Sequence, residues 1–404
     1  VSLGYQALRA STTGSFNTGI GRRALYSNTT ASYNTAVGFK AGNSNTTGSL
    51  NVAVGATALD ANTTGSQNVA VGYTALGAHT TGNYNIAVGT SSLQTNTTGA
   101  SNVAVGDAAL NSNTTASSNT AVGYQAGYSN TTGGRLTAFG YQAGYNCTAT
   151  GTIQNAFFGN EAGLNSTSGT NNTYIGGSSG AQMTTGSKNT ILGAFSGNAG
   201  GLDIRTSSNN IVLSDGDGNP RVVVDSSGNV LVGKTTAAFA TAGTVINSAG
   251  QAEITGASDG SLTLNRTGTD GYTQRFYKDG VNVGSISVTA SATAYNTSSD
   301  YRLKEAWLPM SGASERVQAL KPVNFAWKLD GTRVDGFLAH ELADVVPEAV
   351  TGSKDAMKDE EYEVTPAVLD DDGNVTTEAV MGTRSVPDYQ GIDQSKLVPL
   401  LTAA

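Results

Sequence analysis

Residues 51 to 67 read NVAVGATALDANTTGSQ, and Asn68 begins the same phrase again. NTAVG at Asn34, NVAVG at Asn51 and Asn68, NIAVG at Asn85, NVAVG at Asn102 and NTAVG at Asn119 follow one another at steps of 17 residues. The series runs back through NTGIG at Asn17 to Gly4. It runs forward, after one two-residue insertion, through AFFG to Gly159, TYIG to Gly176 and TILG to Gly193. A second phrase keeps step with it: NTTG at Asn45, Asn62, Asn96 and Asn130, HTTG at His79 and NTTA at Asn113. Between the two stands a short segment such as YTAL (Tyr73 to Leu76) or DAAL (Asp107 to Leu110).

A period this strict marks a solenoid in which each unit is one coil. Val52 and Val54 alternate with Ala53, the two-residue period of a strand. The expectation is that the valines fill the coil interior while the alanine faces a close neighbour. Gly55 ends the strand where a side chain would obstruct the bend, and Asn-Thr-Thr-Gly supplies the next turn. Identical positions then stack into ladders of Val, Asn and Thr. About twelve coils at roughly 4.8 Å per strand give a rod on the order of 60 Å long. So thin a coil does not offset its own chain entropy, and small outward alanines suit burial against sister chains. The expected assembly is a homotrimer. The Asn-Thr-Thr triplets also match the N-glycosylation sequon, but their place in almost every coil is explained by turn chemistry.

The N-x-A-V-G coil resembles the left-handed parallel β-roll of trimeric autotransporter adhesin heads, over about residues 1 to 195, with a longer repeat than is usual there. That resemblance implies a homotrimeric, extracellular, adhesive rod.

Composition narrows the classes further. Glycine is 52 of 404 residues and only 13% of residues are charged, against about 25% in an average globular protein. Gly, Asn, Ser and Thr stand where Leu, Glu and Lys would favour helix. No apolar run approaches the roughly 20 residues of a membrane span, and no secretory signal opens the chain. Val1 lies in the middle of a repeat, which reads as a piece of a longer polypeptide. A net charge of -8 argues against a nucleic-acid partner. The lone Cys147 excludes an internal disulfide. His79 and His340 are far apart, so neither a metal nor a cofactor is expected.

From residue 196 the period is lost. VVVDSSGNVLVG (Val222 to Gly233) reads as two strands around a Gly-Asn turn, and Leu262 to Thr289 as further short strands turning at Asp270-Gly271 and Asp279-Gly280. This region resembles the shaft and neck of a phage tail fibre. DGDGN (Asp215 to Asn219) superficially matches a calcium loop but lacks the distant glutamate, and reads as a hairpin turn. Tyr272, Phe276 and Tyr277 beside Arg275 and Lys278 read as a half-buried strand surface, with stacking on sugars the alternative. In the rod, Asp60, Asp107 and Glu161 are isolated, so no carboxylate pair is placed for glycoside hydrolysis. The rod also offers few aromatics to nominate as a receptor site.

After residue 299 the composition becomes globular. SGASERVQALKP (Ser311 to Pro322) reads as a short helix with Val317 and Leu320 three apart and a proline to stop it. Val323 to Lys328 and Val334 to Leu338 read as strands around Asp330-Gly331. AHELADVVP (Ala339 to Pro347) reads as a helix, and DQSKLVPLLTAA begins another that the chain cuts short. The acidic stretch from Asp355 to Asp388 reads as irregular and receives no role.

SDYRLKE at 299–305, ALKPVNFAWK at 319–328, GFLAHELADVVPEAV at 336–350 and QGIDQSKLVPLL at 390–401 resemble, in order, the endosialidase-type intramolecular chaperone domain, a family of self-cleaving serine peptidases. The resemblance implies a trimeric chaperone that templates the β-rich fibre before it and then severs itself by a Ser–Lys dyad, here Ser299 and Lys304. The chemistry is consistent. A serine hydroxyl needs a nearby base, and a lysine serves only when its pKa of about 10.4 falls through burial or nearby cations. Arg302 and Leu303 are placed to help once trimer assembly closes the site. Attack on the preceding carbonyl favours cleavage at Ser298–Ser299, with Ser299–Asp300 as the fallback. Asp300 and Glu305 either orient the lysine or cap the turn. His340 is an accessory acid or base, or a packed surface histidine.

The expected fold is therefore mainly β: a trimeric left-handed parallel β-roll or solenoid of 17-residue coils at 1–195, a β-rich shaft at 196–298 and a small α+β chaperone domain at 299–404. The expected function is a homotrimeric virion tail fibre or appendage, extracellular, that attaches to a bacterial surface receptor, a glycan. Its partners would be its sister chains and other virion proteins, with no nucleic acid and no membrane insertion. A fibre-borne polysaccharide depolymerase and a bacterial trimeric surface adhesin are the alternatives. A membrane-tethered DNA-binding factor borrowing the same chaperone is disfavoured by the neutral rod.

Overall fold

Parallel strands one repeat apart pair in perfect step: Val52 with Val69, Ala53 with Ala70, Val54 with Val71, and so on through the stack. The structure is a computed structural model that describes residues 1–239, 241–256, 262–297, 299–365, 368–369, 375–377 and 380–404. It is mainly β, a solenoid of about twelve turns with coils of about 17 residues, followed by a small mixed α+β region. The chain divides into two compact units, Val1–Thr263 and Leu264–Ala404.

The coil is inside out relative to the sequence reading. Ala70, Ala87 and Ala104 are fully buried, whereas the residues on either side, such as Val69 and Val71, are only half-buried. The reason lies across the coil. Leu59, Leu76, Leu93 and Leu110 adopt left-handed backbone (φ 48–55°) and are fully buried within the coil interior. With that space taken by leucine, a methyl group is what fits opposite. Later coils trade the sizes. Gly163 and Gly180 replace the leucine, and the inward strand residues become Phe157 and Tyr174. A Cβ on Gly163 would stand 2.8 Å from the Phe157 ring, and one on Gly180 2.5 Å from Tyr174. At the end of each strand, Gly55 has φ +133° and its absent Cβ would lie 2.5 Å from the Gly72 carbonyl oxygen, so the bend requires glycine twice over.

Two columns of buried asparagine run beside the core. The Asn51 backbone N–H donates to Asn34 Oδ1 (2.9 Å), its Nδ2 donates to the Gly65 carbonyl (2.8 Å), and its Oδ1 accepts the Asn68 backbone N–H (2.9 Å). In the other column, Asn62 Nδ2 donates to Asn45 Oδ1 (2.7 Å) and the Gly65 carbonyl (2.9 Å). Asparagine is short and both donates and accepts, so one residue satisfies the backbone groups that a narrow coil buries. His79 takes one such place. Its Nε2 meets the Gly82 carbonyl at 2.7 Å and its Nδ1 meets Asn96 Nδ2 at 3.1 Å, which assigns a neutral ring with the proton on Nε2. Cys147 takes another, 3.9 Å from Asn155 Nδ2, and burial pushes its thiol up to about 11. That thiol is a core group, not a reactive one.

The sheet does not stop where the period does. Ile211–Ser214 stacks parallel on Thr190–Leu192, and Pro220–Val224, Val230–Val232, Gly243–Ile246 and Ala252–Thr255 then continue it antiparallel, within one 17-stranded sheet. Val212, Val223, Leu231 and Val245 carry the buried row onward. Asp215–Asn219 is the turn of the first of these hairpins, with Asp215 Oδ1 accepting from the Asp217 and Asn219 N–H groups.

In the second unit Gly271–Lys278, Val281–Val288 and Thr293–Thr297 form a three-stranded antiparallel sheet. Tyr272, Phe276 and Tyr277 are about half exposed on its first strand, and Arg275 lies 4.4 Å over the Tyr272 ring. Beyond it, helices α1 (Ala313–Ala319), α2 (Ala339–Ala343) and α3 (Leu397–Ala403) enclose Ala313, Leu342, Val346, Ala349, Leu397 and Leu400. Val317 and Leu320 pack against this core. Val323–Ala326 pairs with Arg333–Gly336 across Asp330-Gly331. The acidic stretch is not irregular where it is described: Met357–Thr365 and Val380–Pro387 pair as a long antiparallel hairpin, while 366–367, 370–374 and 378–379 lie outside the described residues. A two-stranded ribbon needs no apolar face, which is why its charge concealed it.

Two outcomes are expected. Leu76→Ala should cost about 2–5 kcal/mol in denaturant unfolding. Gly163→Leu should destabilise by overpacking, by about 1–3 kcal/mol, and Phe157→Ala should recover part of that loss by restoring the alanine–leucine pairing of the earlier coils. His79 supplies a pH test. Burial pushes its imidazole below the ordinary value, against the raising pull of its bonds to Gly82 and Asn96. As pH falls below the unfolded value of about 6.5, the unfolded chain takes up the proton first, so stability complete above that pH is lost beneath it. Thermal unfolding at pH 7.5 and pH 5 should show a larger loss for wild type than for His79→Asn.

Candidate functional site

A tight turn brings two residues five apart into contact. Asp300 opens it: its carboxylate accepts the Arg302 backbone N–H at 2.9 Å, and the turn closes as the Leu303 and Lys304 N–H groups donate to the Asp300 and Tyr301 carbonyls, both at 3.1 Å. The chain from Tyr301 to Leu303 is one turn of 3-10 helix. Lys304 emerges beside Ser299, and its Nζ donates to Ser299 Oγ at 2.7 Å. In this form the ammonium donates. A lysine that takes the serine proton must first lose its own.

In the single chain Arg302 is engaged by Asp300. Its Nε and Nη2 donate to Asp300 Oδ1 and Oδ2 at 2.9 and 2.7 Å, a two-point clamp that neutralises its charge locally. The guanidinium in turn holds the Asp300 carboxyl below the usual carboxylate range. Asp300 is thus the cap of the turn, and the D-x-R spacing next to a serine was the signal for it. No hydrogen bond or ion pair joins His340, half-buried on α2, to Ser299 or Lys304 among the described residues. Ser298, the expected residue before the scissile bond, lies outside the described residues.

What sequence reasoning missed is the rim. Tyr301, Leu303, Trp307 and Leu308, close in sequence to the serine and lysine, are 69–85% exposed. An apolar group of this size in solvent marks a surface that another surface covers. Both Ser299 and Lys304 are themselves exposed, so the pair stands open in the single chain.

Elsewhere, the rod carries more exposed aromatics than expected. Phe16 and Tyr33 stack at 4.9 Å and Tyr124 and Tyr141 at 5.3 Å, while the half-buried Tyr128 and Tyr145 stack at 5.1 Å, each pair one coil apart. No group of three or more His, Cys, Asp or Glu stands ready for a metal among the described residues. No helix among them is long and apolar enough to cross a membrane.

Residues 299–351 match the Peptidase S74 family, the chaperone of endosialidase. The match begins at the serine and ends before the acidic hairpin. No curated protein and no solved structure matches significantly. The chain thus carries an endosialidase-chaperone domain behind a long β-solenoid. Domains of this family act in the assembly of trimeric fibres and are typical of phage tail fibres and other trimeric fibre proteins.

Proposed function

We propose that this chain is a homotrimeric virion tail fibre that attaches to a bacterial surface, and that its domain from residue 299 chaperones trimer folding and is then released by its own Ser299–Lys304 dyad. The observation that carries the reading is the 2.7 Å contact of Lys304 Nζ with Ser299 Oγ at the first residues of the family match. The order of events follows from exposure. In a single chain the lysine is exposed to solvent. Sister chains that cover Tyr301, Leu303, Trp307 and Leu308 desolvate it, which favours the neutral amine. Ser299 Oγ then loses its proton to Lys304 Nζ and attacks the Ser298 carbonyl carbon. The Ser298–Ser299 amide bond breaks, its nitrogen takes the proton, and water opens the resulting ester. Cleavage waits for assembly.

Trimerisation draws support from the strand row that faces out. Phe139, Phe158, Ile175 and Leu192 are 37–49% exposed in consecutive coils, and Phe139 stacks on Phe158 at 5.3 Å. The alanines that first suggested sister chains are core residues. The larger apolar side chains of the outer row make the stronger case.

The test is a denaturing gel with N-terminal sequencing of the fragments. Wild type should yield a fragment beginning at Ser299, while Ser299→Ala and Lys304→Ala should stay whole. Unchanged processing in both variants would remove the dyad. Asp300→Ala, which loses the cap, should slow processing about fivefold, the equivalent of about 1 kcal/mol for a missing cap.

A further inference from the structure

The coils near the beginning of the chain hold a charge pattern that the rest of the rod lacks. Arg9, Arg22, Arg23 and Lys40 all precede the first acidic residue, Asp60. Among the described residues, ion pairs occur only from Asp203–Arg205 onward, so these cations make none, and the carboxylate that Arg23 and Lys40 act on at longer range is Asp60. Arg23 and Lys40 occupy the same position of successive coils, about one strand spacing apart. Stacked like charges are destabilising, and the next three coils hold neutral Thr57, Thr74 and Ser91 in the same column. Tyr26 fixes the guanidiniums instead of neutralising them. Arg23 lies 4.5 Å over its ring, and Arg9 Nη1 bonds its hydroxyl at 2.5 Å.

The same flank then opens into a cleft of about 320 Å³, lined by Thr57, Asp60, Thr74, Gln94 and Thr95 around Gly77. Gly77 makes the notch: its column holds Tyr26, Asn43, Asp60, Gln94, Tyr128 and Tyr145 in other coils. Beside the cleft, Asn43 gives Asp60 a side-chain hydrogen bond, while Arg23 Nε is buried without one. A polar atom in that condition wants a ligand or water.

We propose that this turn flank binds an acidic polysaccharide laid along the solenoid, with its anionic groups at Arg23 and Lys40 and its hydroxyls in the cleft between Asp60 and Gln94. Hydroxyls, amide and carboxylate in the cleft suit sugar hydroxyls, which both donate and accept. No aromatic side chain lines the cleft, so it lacks the stacking platform on which single-stranded nucleic acid is held. Carboxylate and phosphate are the two forms the anionic group takes. The proposal rests on the attachment reading above, and names its ligand.

The full chain is run through native gels containing polygalacturonate for carboxylate, glycerol teichoic acid for phosphate, single-stranded DNA, or neutral dextran. Retardation by one or both acidic glycans, and weaker retardation by dextran, is expected. Arg23→Gln with Lys40→Gln should weaken it about tenfold. Gly77→Tyr should do the same by filling the notch, with unchanged thermal unfolding because tyrosine already occupies that position in other coils. No retardation by either acidic glycan, retardation untouched by both variants, or tighter DNA binding through the same residues would overturn the site. Adsorption of the same variants to a panel of bacterial strains separates the two readings. Gly77→Tyr adsorbing as well as wild type leaves attachment standing and removes this site. Polysaccharide binding without adsorption to any strain does the reverse.

Discussion

The width of the coil interior governs this molecule. One leucine and one methyl group fill it, or one aromatic ring and a glycine, and nothing larger fits. From that follow the buried alanines, the glycine at each bend and the asparagine columns, since backbone groups inside so narrow a coil are met only by a short amide that donates and accepts. It follows too that each coil buries little apolar area, so stability comes from stacking, as in other solenoids. The larger apolar side chains are displaced to the outside. With the interior filled in this way, an outer row of Val, Ile, Phe and Leu is left on the other face of the strand.

Because the phrase recurs at a fixed step, the solenoid was legible from a single reading of the chain. Which side of the strand faced in was not. Two-residue alternation says that the faces differ, and size alone suggests that valine is the inner one. The leucine that fills the interior does so from left-handed backbone, a conformation that propensity assigns to glycine or asparagine and that only the stacked coil sustains. In the same way, the loss of the 17-residue step at 196 hides a sheet that continues, because antiparallel hairpins keep the inward row at Val212, Val223 and Leu231 while abandoning the period.

At the junction with the globular region, Ser299 and Lys304 were legible as a pair, since SDYRLKE pointed to them and a tight turn makes residues five apart meet. Arg302 was not legible as the partner of Asp300. From sequence it is one more cation beside the lysine, yet a carboxylate two residues away in a turn is a nearer partner than a lysine on the other side. The exposed rim of Tyr301, Trp307 and Leu308 is invisible to periodicity, because it packs on nothing within its own chain. Rim and outer row are the same kind of surface: apolar groups that this chain does not cover by itself. The first belongs to the region that matches a chaperone of fibre assembly and the second to the solenoid, and the threefold assembly proposed above would cover both.

Sedimentation equilibrium of the Ser299→Ala chain tests that account most directly, because the variant retains every residue of both surfaces. The account requires a mass of three chains of 40.9 kDa each, unchanged on dilution through the micromolar range. A soluble, folded species with the mass of one chain would contradict it.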